Sequence, residues 1–98
     1  MRMELLRADS RFPLPPTSRV AAAWEFELEP GESVAPHVHE TAEEIYCILS
    51  GTGRMTVSKT TGAVVAGDVV HIPAGSSHSI ANTSSGALRA VAVEVRST

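Results

Sequence analysis

Three of the chain's four histidines and one of its glutamates fall inside two blocks framed by glycines. The first runs Gly31-(x5)-His37-x-His39-(x4)-Glu44-(x6)-Gly51, and the second Gly67-(x5)-Pro73-x-Gly75-(x2)-His78-(x3)-Asn82. Side chains two residues apart leave the same face of a β-strand, so His37 and His39 can present both imidazoles to one ion. Imidazole nitrogens with a carboxylate oxygen suit Zn, Fe, Mn, Ni or Cu, and this donor set does not choose among those divalent metals.

Such donors need strands to carry them, and the rest of the chain reads as strands. Val20, Ala22, Trp24, Phe26 and Leu28 alternate with Ala21, Ala23, Glu25 and Glu27, which predicts one strand with a single core face, ended by Pro30-Gly31. Residues 1–19 are expected to hold an N-terminal edge strand and a Pro-rich loop, because the prolines between Phe12 and Pro16 lack the N–H of a central ladder. Further short strands are expected at Ile45–Leu49, Met55–Ser58, Ala63–Val65, Asp68–Ile72, Ser77–Asn82 and Leu88–Val95. Turns are expected at Ser50–Gly53, near Thr61-Gly62, at Ala66-Gly67, at Pro73–Gly75 and at Ser84–Gly86. No helix-length periodic segment is present, and many short strands with Gly and Pro turns argue for an all-β sandwich or barrel. In the last strand Leu88, Ala90 and Ala92 point one way and Arg89, Val91, Val93 and Val95 the other. Both faces therefore need cover, and a homodimer is the expected source of it for so small a domain.

Composition removes several competitors. The 98 residues are enough for one domain, 1–98, with 43% hydrophobic and 19% charged residues. A net charge of -3 without Lys or Arg runs gives no footprint for nucleic acid or an acidic membrane. The longest apolar run, Val20–Trp24, is far short of the roughly 20 residues that span a bilayer, and no signal-peptide apolar region is visible, so a cytoplasmic protein is expected. The one cysteine, Cys47, has no partner for a disulfide and reads as a packed strand thiol.

The two blocks resemble, position for position, the two conserved motifs of the cupin superfamily, with a short stretch, Thr52 to Ala66, between them as in small single-domain bacterial cupins. The resemblance implies a cupin-type jelly-roll β-barrel in which His37, His39, Glu44 and His78 coordinate one divalent metal. Three neutral imidazoles and one carboxylate leave a formal charge of about +1, with one or two positions open to water, substrate or dioxygen. It also implies a metal-dependent enzyme acting on a small organic molecule, either a dioxygenase or a Lewis-acid isomerase, cyclase or lyase. The rival is a non-catalytic metal- or ligand-binding module.

Strand parity extends the site. With Glu44 facing the metal, as ligand and possible base, Tyr46 and Ile48 share its face, and Tyr46 is a candidate hydrogen-bond donor to substrate. From His78 the same count brings Ile80 inward, and Trp24, Phe26 and Met55 complete an expected apolar pocket wall. His71 lies outside both ligand patterns and is expected near the site's periphery or at an interface. Glu43 is a weaker alternative to Glu44, because only Glu44 also keeps the six-residue gap to Gly51.

Overall fold

The computed structural model describes residues 1–97, and among them there are nine strands and no helix. They are β1 (Arg2–Leu6), β2 (Val20–Leu28), β3 (Ser33–His37), β4 (Ala42–Ser50), β5 (Thr52–Val57), β6 (Thr60–Val65), β7 (Val69–Ile72), β8 (His78–Ala81) and β9 (Leu88–Arg96). They form two antiparallel sheets, ordered β1-β2-β9-β4-β7 and β3-β8-β5-β6, which face each other as the walls of a cupin-type jelly roll. The expected β2 bounds are those observed, and β1 is the edge strand.

Several boundaries differ from expectation: β5 begins at Thr52, not Met55, so Thr52-Gly53 lies in a strand and the expected Ser50–Gly53 turn narrows to Gly51, and β6 begins at Thr60, not Ala63. β4 begins at Ala42, not Ile45, because Glu43 and Glu44 lie in the strand despite their charge. The β5–β6 hairpin turns at Ser58-Lys59, where Ser58 takes φ 55, and Thr61-Gly62 lies inside β6 with Gly62 opposite Met55. β3 ends at His37, so His39 sits beyond the strand that was expected to carry both rings.

Cross-strand register stacks the interior of the five-stranded sheet in rows. The first row is Ala22, Glu94, Glu44 and Ile72; below it come Trp24, Ala92, Tyr46 and Val70, then Phe26, Ala90 and Ile48, and finally Leu28 and Leu88. The facing sheet supplies His37, His78 and Val57 at the level of the first row, then Val34, Ile80, Met55 and Gly62, then Gly53 and Val64. Phe26, Leu28, Tyr46, Ile48, Met55, Val64, Ile72, Ile80, Leu88, Ala90 and Ala92 form one buried cluster, with Trp24, Val34, Val57 and Val70 packed at its edge. Each fully buried Leu or Ile contributes about 2 kcal/mol through the apolar area it removes from water.

Alternate small and large residues let the rows interlock. A side chain at Gly53 would meet Ala81 O at 2.6 Å and Leu88 Cδ2 at 2.9 Å, and one at Gly51 would meet Ala87 O closer still. Gly51 also has φ +86, a conformation that favours glycine, at the corner where the chain leaves one sheet for the other. The far end is tied by Asn82, whose amide donates to Leu28 O (2.9 Å) and Gly86 O (2.7 Å) and accepts from Ser84 N (2.9 Å) and Ser84 Oγ (2.8 Å).

Candidate metal centre

His37 and His78 face each other as Cα partners of β3 and β8, and the register shifts between Val34 and His37. That irregularity is needed, because Val34 and His37 are three residues apart and an unbroken strand would send one of them outward. Pro36, which has no ladder donor, sits in the shifted stretch. His39 reaches the same place from just beyond β3, and Glu44 points inward from β4, where it is 1% exposed.

The four side chains converge. Each offers one donor atom within 4.8 Å of the other three. The His37 ring centroid is 4.1 Å from that of His78 and 5.1 Å from that of His39, while His39 and His78 are 5.5 Å apart. Glu44 Oε1 lies 2.7 Å from His39 Nε2 and 3.3 Å from His78 Nε2. Donors each about 2.1 Å from one ion lie roughly 3 Å apart at neighbouring positions, so these separations suit a shared metal.

Ring orientation agrees with this. His37 Nδ1 donates to Ala35 O at 2.9 Å, and His78 Nδ1 donates to Ser76 O at 3.1 Å. A carbonyl can only accept, so in both rings Nδ1 carries the proton and Nε2 keeps its lone pair for the centre. Burial, with His37 and His39 nearby, pushes the His78 pKa down against the opposing pull of Ser76 O and Glu44, which favours the neutral, ligating ring.

The donors also fit a cation by what they lack. Both carboxylate oxygens of Glu44 and Nε2 of His78 are buried without a hydrogen-bond partner. A buried ionised carboxylate left in that state is costly, and a divalent metal would satisfy all three atoms at once. Among the described residues Glu44 has ion-pair contacts only with His39 and His78, so no Lys or Arg fills that role.

Of the other expected site residues, Tyr46 lies one row below Glu44, with its ring 6.1 Å from His78 and 5.3 Å from Phe26. Burial and the neighbouring Glu44 charge hold its hydroxyl well above the ordinary tyrosine pKa, hence protonated. Phe26, Ile48, Met55 and Ile80 are buried in the core beneath it, and Trp24 is half-buried at the edge of that core. Glu43 points to the outer face and pairs with His71 at 3.0 Å, which separates both from the donor cluster and leaves Glu44 as its candidate carboxylate. Glu94 was not anticipated: it is the Cα partner of Glu44, and its Oε1 lies 3.7 Å from His39 Nδ1. Extending the inward series Leu88, Ala90, Ala92 by one more step would have found it.

Comparison with known proteins agrees with the architecture. The profile of the Cupin domain family matches residues 24–94. The oxalate-binding protein of Thermotoga maritima is 44% identical over 66 residues, covering 67% of this chain and 54% of that protein. An uncharacterized protein of Methanocaldococcus jannaschii is 42% identical over 52 residues, covering 53% of this chain and 42% of its own. The chain thus spans about half the length of these two curated relatives. Among solved structures, a predicted oxalate decarboxylase from Thermotoga maritima superposes with a TM-score of 0.77 at 37% identity, over 80% of this chain and 68% of that one. A cupin domain from Schizosaccharomyces pombe gives 0.81 at 23% identity, over 96% and 59% respectively, a likeness of fold alone.

Proposed function

This chain belongs to the cupin family, and on that premise we propose that it is a metal-dependent protein for a small chelating carboxylate of the oxalate type. The observation that carries this reading is the convergence of His37, His39 and His78 on the buried, otherwise unpartnered Glu44 carboxylate. A divalent metal held there supplies a Lewis-acidic centre with open positions, and a redox-active one can also exchange electrons.

The surrounding residues set what could bind. Below the metal row the interior is filled by Tyr46, Ile80, Met55, Phe26 and Ile48, so a ligand at the donors would meet packed side chains beneath it. Tyr46, kept protonated by burial, is the donor closest in sequence to the ligand glutamate and suits a carboxylate oxygen. The half-buried Trp24 supplies the accessible apolar part of the wall, and the buried side chains hold Tyr46 and Glu44 in place. Of the dioxygenase, isomerase, cyclase and lyase classes open to such a centre, the names of the Thermotoga relatives favour a lyase that converts oxalate monoanion to carbon dioxide and formate. Binding without turnover is the rival, favoured by the name of the first of them.

The test uses protein loaded in turn with Mn, Zn and Fe(II). Calorimetry is expected to show stoichiometric oxalate binding that His78→Ala removes, and carbon-13 oxalate followed by NMR is expected to yield labelled formate without oxygen uptake. Binding with unchanged oxalate establishes the module; failure of every loaded form to bind oxalate sinks the ligand class.

The proposal extends to a homodimer in the cytoplasm, where the free Cys47 thiol would stay reduced. Its support is the outer face of the five-stranded sheet, where Ile45, Cys47, Val91 and Val93 are half-covered and Val69 is 66% exposed. Towards the Asn82 end this face is instead polar, carrying Arg2–Glu27 and Arg89–Glu25 pairs. A second copy packed on the apolar half would cover it. Sedimentation is expected to give a dimer that Val91→Glu dissociates.

A further inference from the structure

We propose that Glu94 is the positioning residue of the His39 ligand: its carboxylate holds Nδ1 of that ring so that Nε2 stays on the metal. The inference rests on the metal-site reading above and goes beyond it to a residue outside both glycine-framed blocks.

The first support is a pattern with one gap. His37 and His78 are each fixed through Nδ1 by the carbonyl two residues earlier, Ala35 O and Ser76 O. His39 has no such contact among the described residues. Its Nδ1 instead faces Glu94 Oε1 at 3.7 Å, while its Nε2 faces Glu44 Oε1 at 2.7 Å. The ring is 34% exposed and lies beyond the end of β3, so neither burial nor a ladder holds it. Metal-ligating histidines generally donate their second nitrogen to a carboxylate, carbonyl or water, and Glu94 is the group standing in that place. A small rotation of the Glu94 side chain, which is 26% exposed, brings the pair to the roughly 2.8 Å of a charge-assisted hydrogen bond.

The second support is electrostatic. Glu94 and Glu44 are Cα partners on adjacent strands with both side chains on the barrel side, an arrangement in which like charges repel. Among the described residues the ion-pair contact of Glu94 is with His39 alone. Two carboxylates side by side without Lys or Arg make sense around a cation, and together they would bring the formal charge of a divalent site to about zero. Glu94 does not itself reach the metal, since Nδ1 and Nε2 lie on opposite sides of the imidazole and the carboxylate is on the Nδ1 side.

Cobalt(II) titration of the full chain, followed by its visible absorption and by competition with a chelator, reads this directly and needs no substrate. Glu94→Ala is expected to weaken cobalt binding about 10- to 100-fold, the usual range for losing such a partner. Glu94→Gln keeps an acceptor oxygen and is expected to recover most of that loss. Glu40→Ala, which removes a nearby acidic side chain without touching Nδ1, is expected to stay within about twofold of the native protein. In the zinc-loaded protein, nitrogen-15 NMR is expected to show a hydrogen-bonded Nδ1–H on His39 that shifts in Glu94→Gln. Native affinity in both Glu94 variants, or equal weakening by Glu40→Ala, overturns the positioning role while leaving the site intact. Native protein that takes up no cobalt overturns the site and the inference together.

Discussion

At one end of the interior Asn82 is 3% exposed and its amide makes four hydrogen bonds; at the other Glu44 and His78, each 1% exposed, leave three atoms without a partner. Both ends bury polar chemistry between the same two sheets. Where the fold supplies the complement, the polar group fastens the end of β2 at Leu28 to Gly86 in the loop before β9. Where it does not, the cost is left standing, and a ligand from outside can relieve it. Buried polarity alone does not mark a functional site; buried polarity that the protein leaves unanswered does.

Supplying the missing complement should have the largest effect. Metal at a thousandfold excess over its dissociation constant is expected to stabilise the fold by about 4 kcal/mol, read as a shift in urea unfolding that a chelator reverses. An equal unfolding curve with and without metal would remove the contrast between the two ends. Next comes the satisfied end, where Asn82→Ala removes the donor to Leu28 O and leaves Gly86 O with Ser84 Oγ alone. A loss of about 3 kcal/mol is expected with metal stoichiometry unchanged, measured by urea unfolding alongside metal analysis. Glu44→Gln separates the two kinds of burial most sharply. It is expected to lower metal affinity by at least tenfold while leaving the metal-free protein as stable as native or up to about 2 kcal/mol more so, because a buried, uncompensated charge is gone. A large destabilisation of the metal-free form would show that Glu44 is structurally satisfied after all. The smallest change is Ser84→Ala, which removes the hydroxyl bonded to Asn82 Oδ1 and is expected to cost about 1 kcal/mol of stability and nothing in metal binding.

The sequence made the donors legible because ligand chemistry restricts residue type and spacing together. His37, His39, Glu44 and His78 meet as expected, and the alternation in β2 set that strand's bounds without help. Charge hid the start of β4, since Glu43 and Glu44 read as loop although both belong to a strand whose faces carry different tasks. Gly62 attracted a turn, yet the hairpin bends at Ser58-Lys59 and Gly62 lies within β6 opposite Met55. The bulge that admits both Val34 and His37 to the interior is a register effect between β3 and β8, invisible in either strand alone. Glu94 was overlooked because its strand was read for its apolar series, and its relation to Glu44 exists only once β9 lies beside β4.

That placement of β9 has a consequence for how the protein is made. β9 follows the other eight described strands in chain order yet lies between β2 and β4, so the five-stranded sheet has no middle until residue 96 has emerged. Until then β2 and β4 each present an unpaired edge, and the apolar sides of both are open to water and to other chains. Completion of this sheet thus waits for β9, and the same step that completes it brings Glu94 alongside Glu44. Newly made chains are most exposed to aggregation just before the metal centre acquires its final wall.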